Sequence, residues 1–416
     1  MLVVNALSSQ IAEGGWSKES FLLIGGTWSE EADQECVCQL SEKGELLDAS
    51  PDRIHRAFGQ WRFPLWKNFR GGGLKCKVLF HEGTFAEIAS LDNLFLAWKN
   101  YCKGKRSKGD VKQFEFRRED NIFQLHTDLV TGQYQPGSYQ QFRITDPKPR
   151  VISKAPIRDR LLHQAIYQIL YPEFDRTFIF DSYSCRNKKG THCAFQRLVI
   201  VARKVSCNYK APCWAIKMDI KKFFDSVDHE ILIGLLGERI VDKQLMKLLE
   251  QVVGSFSHTS GTGMPLGNLT SQLFANVYMD LLDKYIKHKL KVKDYMRYAD
   301  DFIVLSPNSN ELLGYLVEIN IFLKTNLKLH VHPNKVVLRK LSQGVDFVGY
   351  VALPHYNLPR LKTVKRILRK ITSDSDNSEI AIPSYLGYLG HVSSYEVPRR
   401  LFENLGIEIC ADELLQ

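Results

Sequence analysis

Adjacent carboxylates stand at the centre of Tyr295-Met296-Arg297-Tyr298-Ala299-Asp300-Asp301-Phe302-Ile303-Val304-Leu305, and a third acid, Asp219, closes the apolar run Ala215-Ile216-Lys217-Met218-Asp219. Asp300 and Asp301 alone are weak evidence, because acids also solvate the tip of an ordinary hairpin. They acquire chemical weight in company with that third carboxylate, a nucleotide pocket and a basic groove. Asp225 and Asp228 in Phe223-Phe224-Asp225-Ser226-Val227-Asp228-His229 are open to two readings, as part of the same acidic centre or as helix N-caps.

The elements that must position these acids follow from pattern. Aromatic and β-branched residues on both sides of Ala299-Asp300 predict two short strands, and Ala215 to Ile220 predicts another. The glycine-rich stretch Gly263-Met264-Pro265-Leu266-Gly267-Asn268 predicts a loop able to approach a ligand closely, followed by a helix through Leu273, Phe274, Val277 and Leu281. Lys148, Arg150, Arg158 and Arg160 bring four cations close together. Strand alternation puts Lys148 and Arg150 on one face, where charge-assisted bonds suit a triphosphate; scattered surface basics are the plain alternative. Helical periodicity predicts helices over Leu161 to about Pro172 and over Glu311 to Thr325. Arg366, Arg369 and Lys370 share helical spacing, a face that suits tracking phosphates. His192 reads as a structural or capping residue.

With 416 residues the chain exceeds what one core usually serves, so two or three lobes are expected. A net charge of +10 and a pI near 9.0 favour a polyanionic partner, foremost nucleic acid. No apolar run approaches a membrane span, and Met1 to Gln10 lacks a signal-peptide pattern, which predicts a cytoplasmic protein with no membrane partner. The nine scattered cysteines predict reduced thiols, with Cys36 and Cys38 the one pair open to a metal reading. Up to residue 88, glycine-punctuated apolar runs predict a small strand-rich module. Its Trp16, Trp28, Trp61, Phe63, Trp66 and Phe69 fit either a core or base stacking for RNA.

Taken in order, Asp219 with Phe223-Phe224-Asp225, Gly263 to Asn276, Tyr298-Ala299-Asp300-Asp301, and Lys335 with Phe347-Val348-Gly349-Tyr350 resemble the motifs of bacterial reverse transcriptases of the group II intron-like lineage. Pro265-Leu266-Gly267, where intron enzymes generally read Pro-Gln-Gly, is similar to the diversity-generating retroelement and defence-associated enzymes. Loss of that Gln implies modest selectivity. The resemblance implies an α+β right-hand polymerase fold: fingers at 89–214, a palm with an antiparallel sheet at 215–354, a helical thumb at 355–416, and the N-terminal module at 1–88, possible RNA-binding material.

It also implies an activity and a site. RNA-directed DNA synthesis would proceed by two-metal nucleotidyl transfer, with two Mg2+ ions held by Asp219, Asp300, Asp301 and the backbone of Ile220. Lys335 is the candidate general acid for pyrophosphate, and Phe224 the bulky gate against a ribose 2′-hydroxyl. Lys148, Arg150, Leu266 and Gly267 would line the nucleotide site, and Phe347, Val348, Gly349 and Tyr350 would grip the primer. The implied partners are a dedicated noncoding RNA template, a DNA product or primer and dNTPs, with an accessory protein or oligomer left open. The additional N-terminal module favours antiphage defence; a diversity-generating role is the alternative. Two other classes stay open: an RNA-binding protein with a silent polymerase site, and an RNA-dependent RNA polymerase, which Phe224 disfavours.

Overall fold

The computed structural model describes residues 78–145, 149–373, 384–385 and 387–391, together with a short antiparallel pair, β1 (Cys38–Leu40) and β2 (Leu46–Ala49). The tryptophans expected in the N-terminal module, Cys36, and the side chains of Cys38 and Lys370 lie outside the described residues.

A helical lobe comes first, from α1 (Thr84–Ala89), α2 (Leu91–Tyr101), α3 (Gly109–Phe116) and α4 (Arg118–Val130). Ser90 starts α2 as its N-cap, accepting a bond from the Asn93 N–H at 3.2 Å, which satisfies a donor the helix cannot pair internally. Leu94, Ala97, Trp98 and Tyr101 then fall on one buried face, as spacing of three and four dictates. The antiparallel hairpin β3 (Gln140–Ile144) and β4 (Arg150–Lys154) leads into α5 (Ile157–Asp175), which packs against α2. α5 passes Pro172, where its end was expected. Proline deletes only its own donor, and the burial of Leu170, Tyr171 and Phe174 around it holds the last turn in place.

Next come α6 (Thr191–Val205), β5 (Trp214–Asp219), α7 (Phe223–Ser226), α8 (His229–Gly237), α9 (Lys243–Gly254) and α10 (Leu269–Lys284). β6 (Tyr295–Tyr298) and β7 (Asp301–Ser306) form the expected hairpin, followed by α11 (Ser309–Leu327) and β8 (Val337–Lys340). The central sheet runs β6-β7-β5-β8 and is antiparallel throughout. A second sheet is built from β9 (Val345–Phe347), β10 (Tyr350–Ala352) and β11 (Asn357–Pro359), with α12 (Leu361–Ser373) after it. Arg366 and Arg369 lie on α12.

Strand alternation gives the central sheet two separate cores. Trp214, Ile216, Met218, Phe302 and Val304 join the larger cluster shared with the helical lobe and α10. Ala215, Ile303, Leu305 and Met296 enter a smaller one with Phe195 and Leu198 of α6 and Phe347 and Tyr350 of the second sheet. Because successive side chains change face, Lys217, Asp219 and Asp301 belong to this second face, at the end where apolar cover gives out. Among the described residues no helix is long and apolar enough to cross a membrane, and Cys102, Cys185, Cys193, Cys207 and Cys213 are free thiols.

Candidate active site

Asp219 is the last residue of β5 and lies directly opposite Asp301, the first residue of β7. Asp300 occupies the two-residue turn between β6 and β7, and its carbonyl accepts the Ile220 N–H at 3.2 Å. Backbone pairing alone therefore brings the three carboxylates and Ile220 together. The turn is unusual for its first residue: Ala299 has φ 56°, a left-handed conformation that tight hairpins require and that glycine normally supplies. From the other side, the His332 N–H donates to the Asp219 carbonyl at 2.7 Å and the Lys221 N–H to the His330 carbonyl at 2.9 Å.

Two lysines partly balance the acids. Lys335 Nζ lies 2.6 Å from Asp219 Oδ1, and Lys217 Nζ lies 3.0 Å from Asp301 Oδ2. Asp301 Oδ1 is buried without a hydrogen-bond partner. Burial, first, pushes the Asp301 carboxyl up to about 6; Lys217 opposes that rise, and Asp219 and Asp300 add to it. Burial also raises the Asp300 carboxyl, with Asp219 adding and with Lys335 and Arg150 opposing. Among the described residues no three acidic, histidine or cysteine side chains close into a ready-made metal cage. Mg2+ is commonly held by one or two carboxylates together with substrate phosphates. An orphaned carboxylate oxygen amid mutually repelling acids fits that mode of binding.

The glycine-rich loop docks on the β3–β4 hairpin. The Ser153 N–H donates to the Leu266 carbonyl at 3.1 Å, and Gly267, at φ 122°, leaves so little room that an added Cβ would lie 3.2 Å from Ile152 Cγ2. Arg150, at the start of β4, is exposed and close enough to act on Asp300; Lys148 lies outside the described residues. Phe224 is half-buried with its ring edge-on to Phe223, and its carbonyl accepts the Met264 N–H at 2.7 Å. The gate candidate and the loop are thus tied to each other.

Val348 and Gly349 form the tip between β9 and β10, both at positive φ. Phe347 and Tyr350 are fully buried and form the footing of this tip. The tip is also fastened to the later chain. Tyr388 Oη donates to the Gly349 carbonyl at 2.6 Å, and Tyr350 Oη donates to the Tyr388 carbonyl at 3.0 Å. Asp228 is an N-cap, accepting the Ile231 N–H at 3.0 Å, and sits outside the acidic corner. His192 packs against Tyr350 and His391.

Several supporting residues gave little sign of their role in sequence. His163, on α5, is buried; its Nε2 accepts from Asn268 Nδ2 at 3.2 Å and its Nδ1–H donates to Thr270 Oγ1 at 2.9 Å, bracing the start of α10. Burial lowers its pKa to about 4, so it stays neutral. Lys217 is one polar residue inside an apolar strand run, and that position was its only signal.

The pattern of the family described as "Reverse transcriptase (RNA-dependent DNA polymerase)" matches residues 144–352, half of the chain. The chain is 24% identical to the group II intron-encoded protein LtrA of Lactococcus lactis subsp. cremoris over 349 residues, covering 66% of this chain and 56% of that protein. It is 25% identical to the COX1/OXI3 intron 2 protein of Saccharomyces cerevisiae over 315 residues, covering 60% of this chain and 36% of that one. The chain thus spans about a third to a little over half of these two relatives. Among solved structures, apo telomerase from Candida tropicalis truncated from its C-terminal domain aligns at TM-score 0.40 and 14% identity, over 57% of this chain and 59% of that one.

Proposed function

Because the chain belongs to the reverse transcriptase (RNA-dependent DNA polymerase) family, we propose that it copies an RNA template into DNA at the corner formed by Asp219, Asp300 and Asp301. Its fold is the right-hand polymerase fold, an antiparallel sheet backed by helices. One observation carries the reading: β5 and β7 set Asp219 directly against Asp301 with Asp300 in the adjoining turn, concentrating negative charge where one face of the sheet loses its apolar cover.

Asp219 and Asp300, supported by Asp301 and the Ile220 backbone, would hold two Mg2+ ions. Bound there, the ions stabilise the attacking and leaving oxygens of nucleotidyl transfer. Arg150, joined by Lys148, neutralises the triphosphate, and Leu266 and Gly267 flank the nascent pair from the loop docked on β4. Phe224 lies beneath the sugar and excludes a 2′-hydroxyl. Lys335, whose Nζ lies 2.6 Å from Asp219 Oδ1, is placed at the corner to donate a proton to the departing pyrophosphate. Val348 and Gly349 lie against the primer end, with Phe347 and Tyr350 as their footing. In domain terms, 89–214 act as fingers, 215–354 as palm and 355–416 as thumb, and 1–88 contribute to RNA binding.

We further infer that the template is a dedicated structured noncoding RNA and the setting antiphage defence in the cytoplasm. The support is the resemblance of the string from Pro265 to Gln272 to defence-associated and diversity-generating enzymes, with the additional N-terminal module favouring the former. The latter remain the alternative setting.

Primer extension on an RNA template with Mg2+ tests the activity. dNTPs are incorporated and NTPs rejected. Asp300→Ala abolishes synthesis while RNA affinity stays near that of the wild type; full-rate extension by this variant sinks the assignment. A wild-type protein that binds RNA and extends nothing would favour the silent-site reading.

A further inference from the structure

Arg297, on β6, is fully buried with 0% of its surface exposed. A guanidinium persists in such a place only when its donors are matched. Nε reaches Asp283 Oδ1 at 2.8 Å and Nη2 reaches Asp283 Oδ2 at 2.7 Å, a two-armed pair with α10. Nη2 also donates to Ser182 Oγ at 3.1 Å, and Nη1 to Asn276 Oδ1 at 3.3 Å.

One bond leaves this cluster. Nη1 donates to the Ala299 carbonyl at 3.1 Å, and that carbonyl belongs to the peptide joining Ala299 to Asp300. A peptide group is planar, so fixing its oxygen fixes the direction in which Asp300 begins. The side chain is not needed to hold β6 itself. The Arg297 N–H already donates to the Asp181 carbonyl at 2.9 Å, its own carbonyl accepts the Tyr183 N–H at 3.0 Å, and β6 is paired with β7 along its other edge. What the guanidinium adds is a link from α10 to the turn, which Ala299 must hold at φ 56° against its own preference. Arginine suits the task because its planar fork can serve an acid and a carbonyl together, whereas a lysine offers one point of charge.

We propose that Arg297 is a positioning residue for the polymerase reaction: it ties the Ala299–Asp300 peptide to α10 and thereby presents Asp300 in a single orientation to metal and triphosphate. This rests on the reading of Asp300 as a metal ligand given above. Tyr295 supplies the control. Its hydroxyl donates to the same Asp283 at 2.6 Å from the far end of β6, without touching the turn.

The test uses the full chain as wild type, Arg297→Lys, Tyr295→Phe and Asn276→Ala. Two quantities are followed over a Mg2+ titration: RNA-templated extension at saturating dNTP, and protection of the thermal unfolding midpoint by Mg2+ without substrate. In Arg297→Lys the extension rate falls about tenfold or more, the scale of a slightly misplaced reacting group, and the Mg2+ midpoint rises about threefold in both assays. In Tyr295→Phe the Mg2+ midpoint stays within about twofold of the wild type. An unchanged midpoint in Arg297→Lys, or an equal shift in Tyr295→Phe, overturns the proposal. Should Arg297→Lys fail to fold, Asn276→Ala decides, since it removes the amide beside Nη1; an unchanged Mg2+ midpoint there also overturns it. Wild-type protein that neither extends a primer nor gains protection from Mg2+ overturns the polymerase reading beneath it.

Discussion

Replacing Asp301 by asparagine should stabilise the metal-free protein while disabling it. The Asp301 carboxyl is raised from 3.8 to about 6, by burial above all, with Lys217 opposing and Asp219 and Asp300 adding to the rise. Between those two values the folded chain holds a proton that the unfolded chain has released. The associated stability is therefore complete below pH 3.8 and is lost as pH rises through about 6. A shift of roughly two pKa units corresponds to about 3 kcal/mol above pH 7. Asparagine has the shape of the protonated acid, cannot ionise, and still offers Lys217 an amide oxygen. In chelator, Asp301→Asn should exceed wild type by about 3 kcal/mol at pH 8 and by about half of that at pH 5. Urea unfolding followed by circular dichroism at the two pH values measures the difference. Mg2+ should then raise the wild-type midpoint more than the variant's, with primer extension reduced in the variant. A variant no more stable than wild type at pH 8, or an advantage that does not narrow at pH 5, refutes the reasoning.

Three other substitutions probe separate parts of the site. Gly267→Ala places a side chain at φ 122° and 3.2 Å from Ile152 Cγ2; a cost of about 1–3 kcal/mol and a higher KM for dNTP are expected, and unchanged steady-state kinetics and melting would contradict the docking role of this loop. Phe224→Ala should admit NTPs, read out as ribonucleotide incorporation against a dNTP control, and continued rejection would remove Phe224 as the gate. Tyr388→Phe removes the 2.6 Å bond to the Gly349 carbonyl. Product length per binding event should shorten several-fold in a trap assay while single-nucleotide addition persists, and products of undiminished length would separate Tyr388 from primer handling.

The acidic corner was legible because it is written in local signals: strand-forming residues around a two-residue turn, and an acid at the end of an apolar strand. Backbone pairing did the rest, and pairing is what period-two patterns encode. Lys217 and Arg297 were not legible in their roles. Each is a charged residue in a strand whose partner lies on another element, Asp301 of β7 for one and Asp283 of α10 for the other, and no spacing rule connects them. Phe347 and Tyr350 show the converse. Their motif implies a role in positioning the primer end, but not that the two pair across β9 and β10 and turn inward beneath the half-buried tip residues Val348 and Gly349. The passage of α5 beyond Pro172 likewise depended on tertiary burial, which a local breaker rule does not register.

The direct opposition of Asp219 and Asp301 has an evolutionary consequence. Residues facing each other across an antiparallel pair have Cα atoms about 4.5–5.5 Å apart, whatever side chains surround them. The span of the corner is thus set by backbone hydrogen bonding rather than by any particular packing. Lineages can exchange core residues freely so long as the two strands keep register. An identity of 24% to LtrA over 349 residues is compatible with a corner of unaltered span, and a one-residue insertion in β5 or β7 would do more harm to it than many substitutions nearby.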